Sequence, residues 1–266
     1  MPLLISALLP HSPLLIPEIG RANYDFLAKT VAAYQEIETE LKTQEINTLI
    51  IISPHGLKQE TAFTLNVAPE MSINLQDFGF IPPKTIFNGD ALLADQIQKT
   101  LRPDFSLQLI SEEILDYGSA IPLYLFKSLL NKIKIITIYP ASDLNDETQF
   151  KFGQALKIVL ENSDKKIALI ASGDLSHRLK KKSPGGYSPK GAKFDNKLIE
   201  FLSVAETAAE NILTMDTKLI KDAGECGLHP LLILLGAITS RTRQSQLLAY
   251  QTDFGIGYLS FNFKLN

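Results

Sequence analysis

NTLIIISPHG, residues 47–56, is the stretch on which the fold turns: a short β-branched run, apolar through its centre, that stops at Ser-Pro and delivers a histidine just beyond it. A strand with no polar face cannot sit at a water-exposed surface, so it belongs inside a sheet covered on both sides, and such sheets are built mainly from parallel strands. Three further runs have the same character, at Leu3–Leu9, 133–139 and Ile167–Ser172. Between and beside them lie residues 24–43, Ala91–Leu101, 120–130 and 148–162, each with apolar residues three and four apart and charges opposite, the pattern of a helix packed on one face. Strands of this kind alternating with helices predict an α/β fold with a central, mixed, mostly parallel sheet flanked by helices. After Gly191 come further helices, one over 230–240, and then two strands at 245–252 and 255–262. Only Asp253 and Phe254 separate these last two, which predicts an antiparallel pair.

The remaining composition narrows the class. At 45% hydrophobic and 21% charged, the 266 residues can bury a sizeable core, and no Pro/Gly/Ser-rich linker, repeat or low-complexity tract divides them, so a single domain over 1–266 is expected. The 26 Lys+Arg against 29 Asp+Glu leave a formal charge of −3, which offers no basic field for nucleic acid. One cysteine, Cys226, excludes an intrachain disulfide framework and any multi-cysteine metal site. The apolar opening MPLLISALLPHSPLLIP lacks the cationic start of a signal peptide and is broken by prolines, and no run is long enough to span a membrane. A cytoplasmic location is the expectation.

His11 follows the first strand by two residues in LLPHSPLL, and His55 follows the second by two in IIISPHG. Ligands of open α/β sheets bind beyond the carboxyl ends of the strands, so both imidazoles are expected in one crevice. His177, five residues past another strand in IASGDLSHRL, should share that edge. A lone histidine near a strand end is commonly just a satisfied structural residue; three on one edge point to a metal site or acid–base chemistry. Pro10, Pro13 and Pro54 would fix the backbone beside two of them.

A third ligand has two candidates in GECGLHP. Glu225 precedes a helix, where any carboxylate is favoured by the helix dipole, but with His11 and His55 it would make the two-histidine, one-carboxylate set that leaves positions open on iron(II). Cys226 is its rival, since adjacent helical residues point about 100° apart and only one of the two faces a given point. His229 would support the site or simply pack. Ser172 or Ser176 beside His177 suggests a hydrolase, yet ASGDLS lacks the G-x-S-x-G elbow. Gly186 and Gly191 have the Walker spacing, with Ala192 where the phosphate-binding lysine is needed. RLKKK and PGGYSP after His177 read as a solvated loop, or one that guides an anionic substrate.

Taken in order, ALLPHSPLLIPEIG, IISPHG, LDYGSAIPLYL, SGDLSHRL, ECGLHPLLILLGA and YQTDFGIGYLSF resemble the family of class III extradiol ring-cleavage dioxygenases over nearly the whole chain. The resemblance is strongest to the branch containing the Memo proteins and their bacterial relatives, in which PHSP, SPHG and CGxHP recur. It implies a non-haem iron(II) site of His11, His55 and Glu225 at the carboxyl ends of the strands, a small catechol or related ortho-dihydroxy aromatic chelating the iron through both oxygens, and dioxygen at the open position. His177 would be the acid/base residue, and its reference pKa near 6.5 suits taking and returning a proton. Many members of the family carry a histidine where this chain has Tyr117 after Asp116; Tyr117 would donate a hydrogen bond in the reaction rather than act as a base. The expected catalytic residues are therefore His177, Tyr117 and Asp116.

Memo-like proteins are similar to this chain at CGxHP and use a cysteine near the metal. Cys226 in the third place would favour zinc or copper(I) over iron(II). The alternatives to an extradiol dioxygenase are thus a Memo-like metal-binding or redox protein without ring cleavage and, behind it, a zinc-dependent hydrolase. Partners implied by the resemblance are a small aromatic diol and dioxygen, with a small helical subunit as protein partner; a homodimer is the alternative by the general frequency of such assemblies. Neither nucleic acid nor membrane is expected.

Overall fold

Continuous apolar strands pair in the centre of the sheet, as their composition requires. The structure, a computed structural model, describes residues 2–241 and 243–265, which leaves residues 1, 242 and 266 of the expected domain outside the described residues. In chain order the elements are β1 (Leu3–Leu9), α1 (Pro17–Gly20), α2 (Ala28–Thr43), β2 (Thr48–Ile52), β3 (Phe63–Asn66), β4 (Glu70–Ser72), β5 (Ile86–Gly89), α3 (Ala91–Leu101), β6 (Leu107–Ile110), α4 (Tyr117–Leu125) and β7 (Lys134–Tyr139). There follow α5 (Asp146–Glu161), β8 (Ile167–Ser172), α6 (Pro189–Leu202), α7 (Ala208–Leu213), α8 (Thr217–Ala223), α9 (Leu228–Ala237), β9 (Arg243–Gln251) and β10 (Tyr258–Leu265).

The strands run in the order β4-β5-β7-β2-β8-β1-β10-β9, with β3 against the far half of β7 and β6 beside β3. The five from β5 to β1 are parallel, and antiparallel strands close both edges. Alternate residues of the central strands enter opposite layers. Ile50, Ile52, Leu169 and Ala171 face α3, α5, α6 and α9, whereas Leu49, Ile51, Ala168 and Ile170 face α2 and α4. This makes one α/β domain of three layers, with each buried Ile or Leu contributing roughly 1.5–3 kcal/mol. Among the described residues no helix is long and apolar enough to cross a membrane.

Two local features bear on the site. At the amino ends of the strands Asp90 accepts the Leu93 N–H to cap α3, and it also accepts from Thr48 and pairs with Lys165 at 2.8 Å. The three histidines His11, His55 and His177 lie at the opposite, carboxyl ends. On one face of the sheet, α5 and α9 cross backbone to backbone, because a methyl group at Gly153 would collide with the Ile233 carbonyl and one at Gly236 with the Phe150 carbonyl. α9 is thereby fixed against the sheet, with GECG at its start.

The last pair of strands corrects the expected two-residue connection. β9 and β10 are antiparallel, but residues 252–257 separate them and Gly255 has φ +74°. The longer loop has a partner: Leu175 N–H donates to Gly257 O, Gly257 N–H to Ser176 O, and Leu179 N–H to Gly255 O. It underlies the segment that carries His177. The first long helix also starts later than its periodicity predicts, at Ala28, after a 3-10 stretch at Arg21–Leu27.

Candidate functional site

The parallel register of β1 and β8 sets Leu9 opposite Ser172, so the residues two beyond each, His11 and Asp174, emerge side by side. His11 N–H donates to Asp174 Oδ1 at 3.2 Å, and its Nε2 lies 3.8 Å from Asp174 Oδ2. His55 arrives from the end of β2 on a supported turn. Its N–H donates to Ser53 Oγ at 3.3 Å, and the Ser53 hydroxyl donates to Asp116 Oδ1 at 2.5 Å. Asp116 also caps α4, accepting from the N–H and hydroxyl of Ser119. Residue 56 must be glycine, since the Tyr139 ring fills the space where a Cβ would stand.

Cys226 is carried in by a third backbone tie. Its N–H and that of Gly227 donate to Asp174 O, while Asp174 N–H points at Cys226 Sγ at 3.4 Å. Gly173 and Gly227 touch so closely that a side chain at 173 would strike Gly227 Cα. His177 is held through its own N–H on Gly224 O and through the neighbouring Ser176, whose N–H donates to the buried Asp195.

These supports bring His11 Nε2 to 3.1 Å from His55 Nε2, and Cys226 Sγ to 3.6 Å from His11 Nε2 and 3.8 Å from His177 Nε2. The ligand atoms of His11, His55 and Cys226 all lie within 4.8 Å of one another. A tetrahedral ion with bonds of about 2.0–2.3 Å needs ligand atoms roughly 3.3–3.7 Å apart, so the three residues could hold one. Glu225 lines the same cleft, of about 250 Å³ with Lys58, Pro140 and His229, but its carboxylate turns to the helix, where Oε2 accepts the Leu228 N–H at 2.7 Å. His229 lies 3.3 Å from Asp146.

Protonation follows from burial. His11 is 2% exposed and its pKa is pushed well down, first by burial and then by His55 and His177. Burial, with Lys58 and His177, lowers His55 to about 4, and burial lowers His177. The imidazoles are neutral, as ligands must be. Burial raises Asp174 and Glu225 to about 7 and lifts the Cys226 thiol well above its usual range.

Tyr117, first residue of α4, stacks on His55 and meets the rings of His11 and Phe78 in near-perpendicular, T-shaped contacts. Burial and nearby negative groups raise its pKa, so the hydroxyl is a donor. Asp116 lies behind His55 and acts on it through Ser53. Sequence reasoning passed over Asp174, although it stands two residues past β8 as His11 stands two past β1; that equivalence was the available signal.

Residues 6–260 match the sequence model of the family described as the catalytic LigB subunit of aromatic ring-opening dioxygenase. A protein of Clostridium acetobutylicum is 30% identical over 261 residues, which are 94% of this chain and 55% of that protein, so the chain spans about half the length of this relative. The crystal structure of an uncharacterized protein from Escherichia coli K12 shares the fold, with a TM-score of 0.68 at 18% identity, covering 97% of this chain and 99% of that one.

Proposed function

Because the chain belongs to the catalytic LigB subunit family of aromatic ring-opening dioxygenases, we propose that it is an iron(II)-dependent extradiol dioxygenase, a single catalytic domain that opens a small catechol or related ortho-dihydroxy aromatic with dioxygen. The observation that carries this reading is the convergence of His11 Nε2, His55 Nε2 and Cys226 Sγ, with His177 Nε2 beside them, in a cleft beyond the parallel strands. His11 and His55 would hold the ion. The third place would go to Glu225, whose Oε2 accepts the Leu228 N–H, or to Cys226, whose Sγ stands 3.6 Å from His11 Nε2.

Bound iron(II) would supply the redox chemistry by which a diol and dioxygen react. The chain's own groups do the rest. His177, neutral and half-buried, takes a proton from a substrate hydroxyl at Nε2 and returns it to the product. Tyr117 donates its hydroxyl to an oxygen of the substrate, and with Phe78 it walls one side of the site against water. Lys58, exposed in the cleft wall, favours the anionic form of the diol.

A thiolate in the donor set favours the second reading, a Memo-like protein that holds zinc or copper(I) without opening rings. Oxygen uptake by anaerobically purified, iron(II)-loaded protein over a catechol panel separates the two, with His11→Ala as control. The dioxygenase reading expects uptake and a yellow product, both lost in the variant. No uptake by protein shown to hold iron overturns it in favour of the second.

A further inference from the structure

α4 contains Pro122. Proline has no N–H, so the carbonyl four residues before it, Gly118 O, is left without its α-helical donor. Ser172, fully buried at the end of β8, supplies one from another layer of the fold: its hydroxyl donates to Gly118 O at 2.5 Å. A carbonyl only accepts, so at this separation the single Ser172 proton lies between the two oxygens. Ser172 Oγ is also 2.9 Å from His11 Nδ1. With its proton committed to Gly118, the serine can only accept there, and Nδ1 must carry the ring hydrogen. The lone pair of the neutral imidazole is then on Nε2, the atom that faces His55 Nε2 and Cys226 Sγ. In the rival tautomer Nε2–H could donate to His55 Nε2 at 3.1 Å, but a bare Nδ1 would then face a serine oxygen whose proton is already on Gly118 O; with the hydrogen on Nδ1 both contacts are satisfied, His55 Nε2 being the donor in the metal-free protein.

We propose that Ser172 is a positioning residue: by satisfying the carbonyl that Pro122 orphans, it fixes His11 in the Nδ1–H tautomer and aims the Nε2 lone pair at the ion. The serine is thus not a nucleophile, as its failure to fit an elbow motif foreshadows. The use of the tautomer rests on the metal-site reading above, but the tautomer itself belongs to the metal-free protein. Hydrogen bonds of this kind to a ligand histidine are generally worth 10–100-fold in metal affinity.

The test is ¹⁵N–¹H correlation of metal-free protein labelled at histidine nitrogens, with His11 assigned by loss of its signals in His11→Gln. The expected result is a protonated Nδ1 and an unprotonated Nε2 in the native chain, loss of that preference in Ser172→Ala with a roughly 10–100-fold drop in zinc affinity, and recovery of both in Ser172→Thr. Native His11 protonated at Nε2 overturns the proposal without any variant having to fold. An unchanged tautomer in folded Ser172→Ala overturns it as well. If the tautomer is as expected and iron-loaded protein consumes no oxygen, the dioxygenase reading fails while the role of Ser172 stands.

Discussion

Tyr117 lies almost flat on His55, with ring centroids 4.3 Å apart and planes 20° from parallel. The two come from different elements, the first turn of α4 and the turn after β2, and Asp116, next to Tyr117, holds the His55 turn through Ser53. One helix start therefore sets both the backbone and the ring plane of His55. A stacked aromatic pair is worth about 0.5–1.5 kcal/mol beyond buried area, or roughly 2- to 12-fold in affinity. Tyr117→Ala should weaken zinc binding by that factor in a chelator competition titration, while Tyr117→Phe, which keeps the ring, should leave it within about twofold. Equal losses in both variants would show that the hydroxyl, not the stack, orients His55.

At the start of α9 the two candidate third donors are used differently. Glu225 satisfies the Leu228 N–H, and Cys226, one residue on, faces the imidazoles. Cobalt(II)-loaded protein should show a thiolate-to-metal charge-transfer absorption that persists in Glu225→Gln and vanishes in Cys226→Ser. The cysteine variant should also lose the larger share of cobalt affinity, by roughly 10-fold or more. A band that survives Cys226→Ser would return the third place to Glu225.

Which of the two side chains faces the imidazoles was out of reach from the sequence for a physical reason. Adjacent residues point in different directions, and their orientation here is set by a helix start tied to Asp174 and Gly173, far earlier in the chain. β1, β2, β7 and β8 were legible because burial on both faces leaves an uninterrupted apolar run. β3 to β6 were not, being three or four residues long, and in β4, β5 and β6 partly exposed, so that no period develops. His11 and His55 stood out by following legible strands. Ser172 was visible only as a poor nucleophile, since its role depends on a missing N–H at Pro122 in a helix far away in the chain.

Gly173 is where the His11 side of the site meets the Cys226 side, and its place against Gly227 Cα leaves no room for a methyl group. Gly173→Ala must push β8 and α9 apart. Overpacking of this kind costs about 1–3 kcal/mol, and each kcal/mol lowers Tm by roughly 2–4 °C in a domain of this size. Zinc affinity should fall with it. Gly89→Ala is the matching control, because its methyl group would meet the Ala68 carbonyl at the amino-end side of the sheet. That variant should lose similar stability and retain metal binding; if both lose metal alike, global loosening rather than the separation of the two ligand loops is responsible.

Asp195 ties α6 to the His177 segment and to β9, accepting from Ser176 N–H at 2.9 Å and from the Tyr250 hydroxyl at 2.7 Å. It is fully buried, and burial outweighs those two bonds, so its pKa rises from 3.8 to about 6. Between these values the folded chain keeps a proton that the unfolded chain has released. Its contribution to stability is therefore complete below about pH 4 and lost as the pH rises through about 6, a swing of about 3 kcal/mol at roughly 1.4 kcal/mol per pH unit. His11, His55 and His177, whose values are lowered, act in the opposite sense and mask this in the native protein alone. Subtracting Asp195→Asn removes them. Urea unfolding of both chains from about pH 4 to about pH 7 should show the native advantage shrinking by about that amount as the pH rises, and a difference that stays constant across the range would mean Asp195 is ionised throughout.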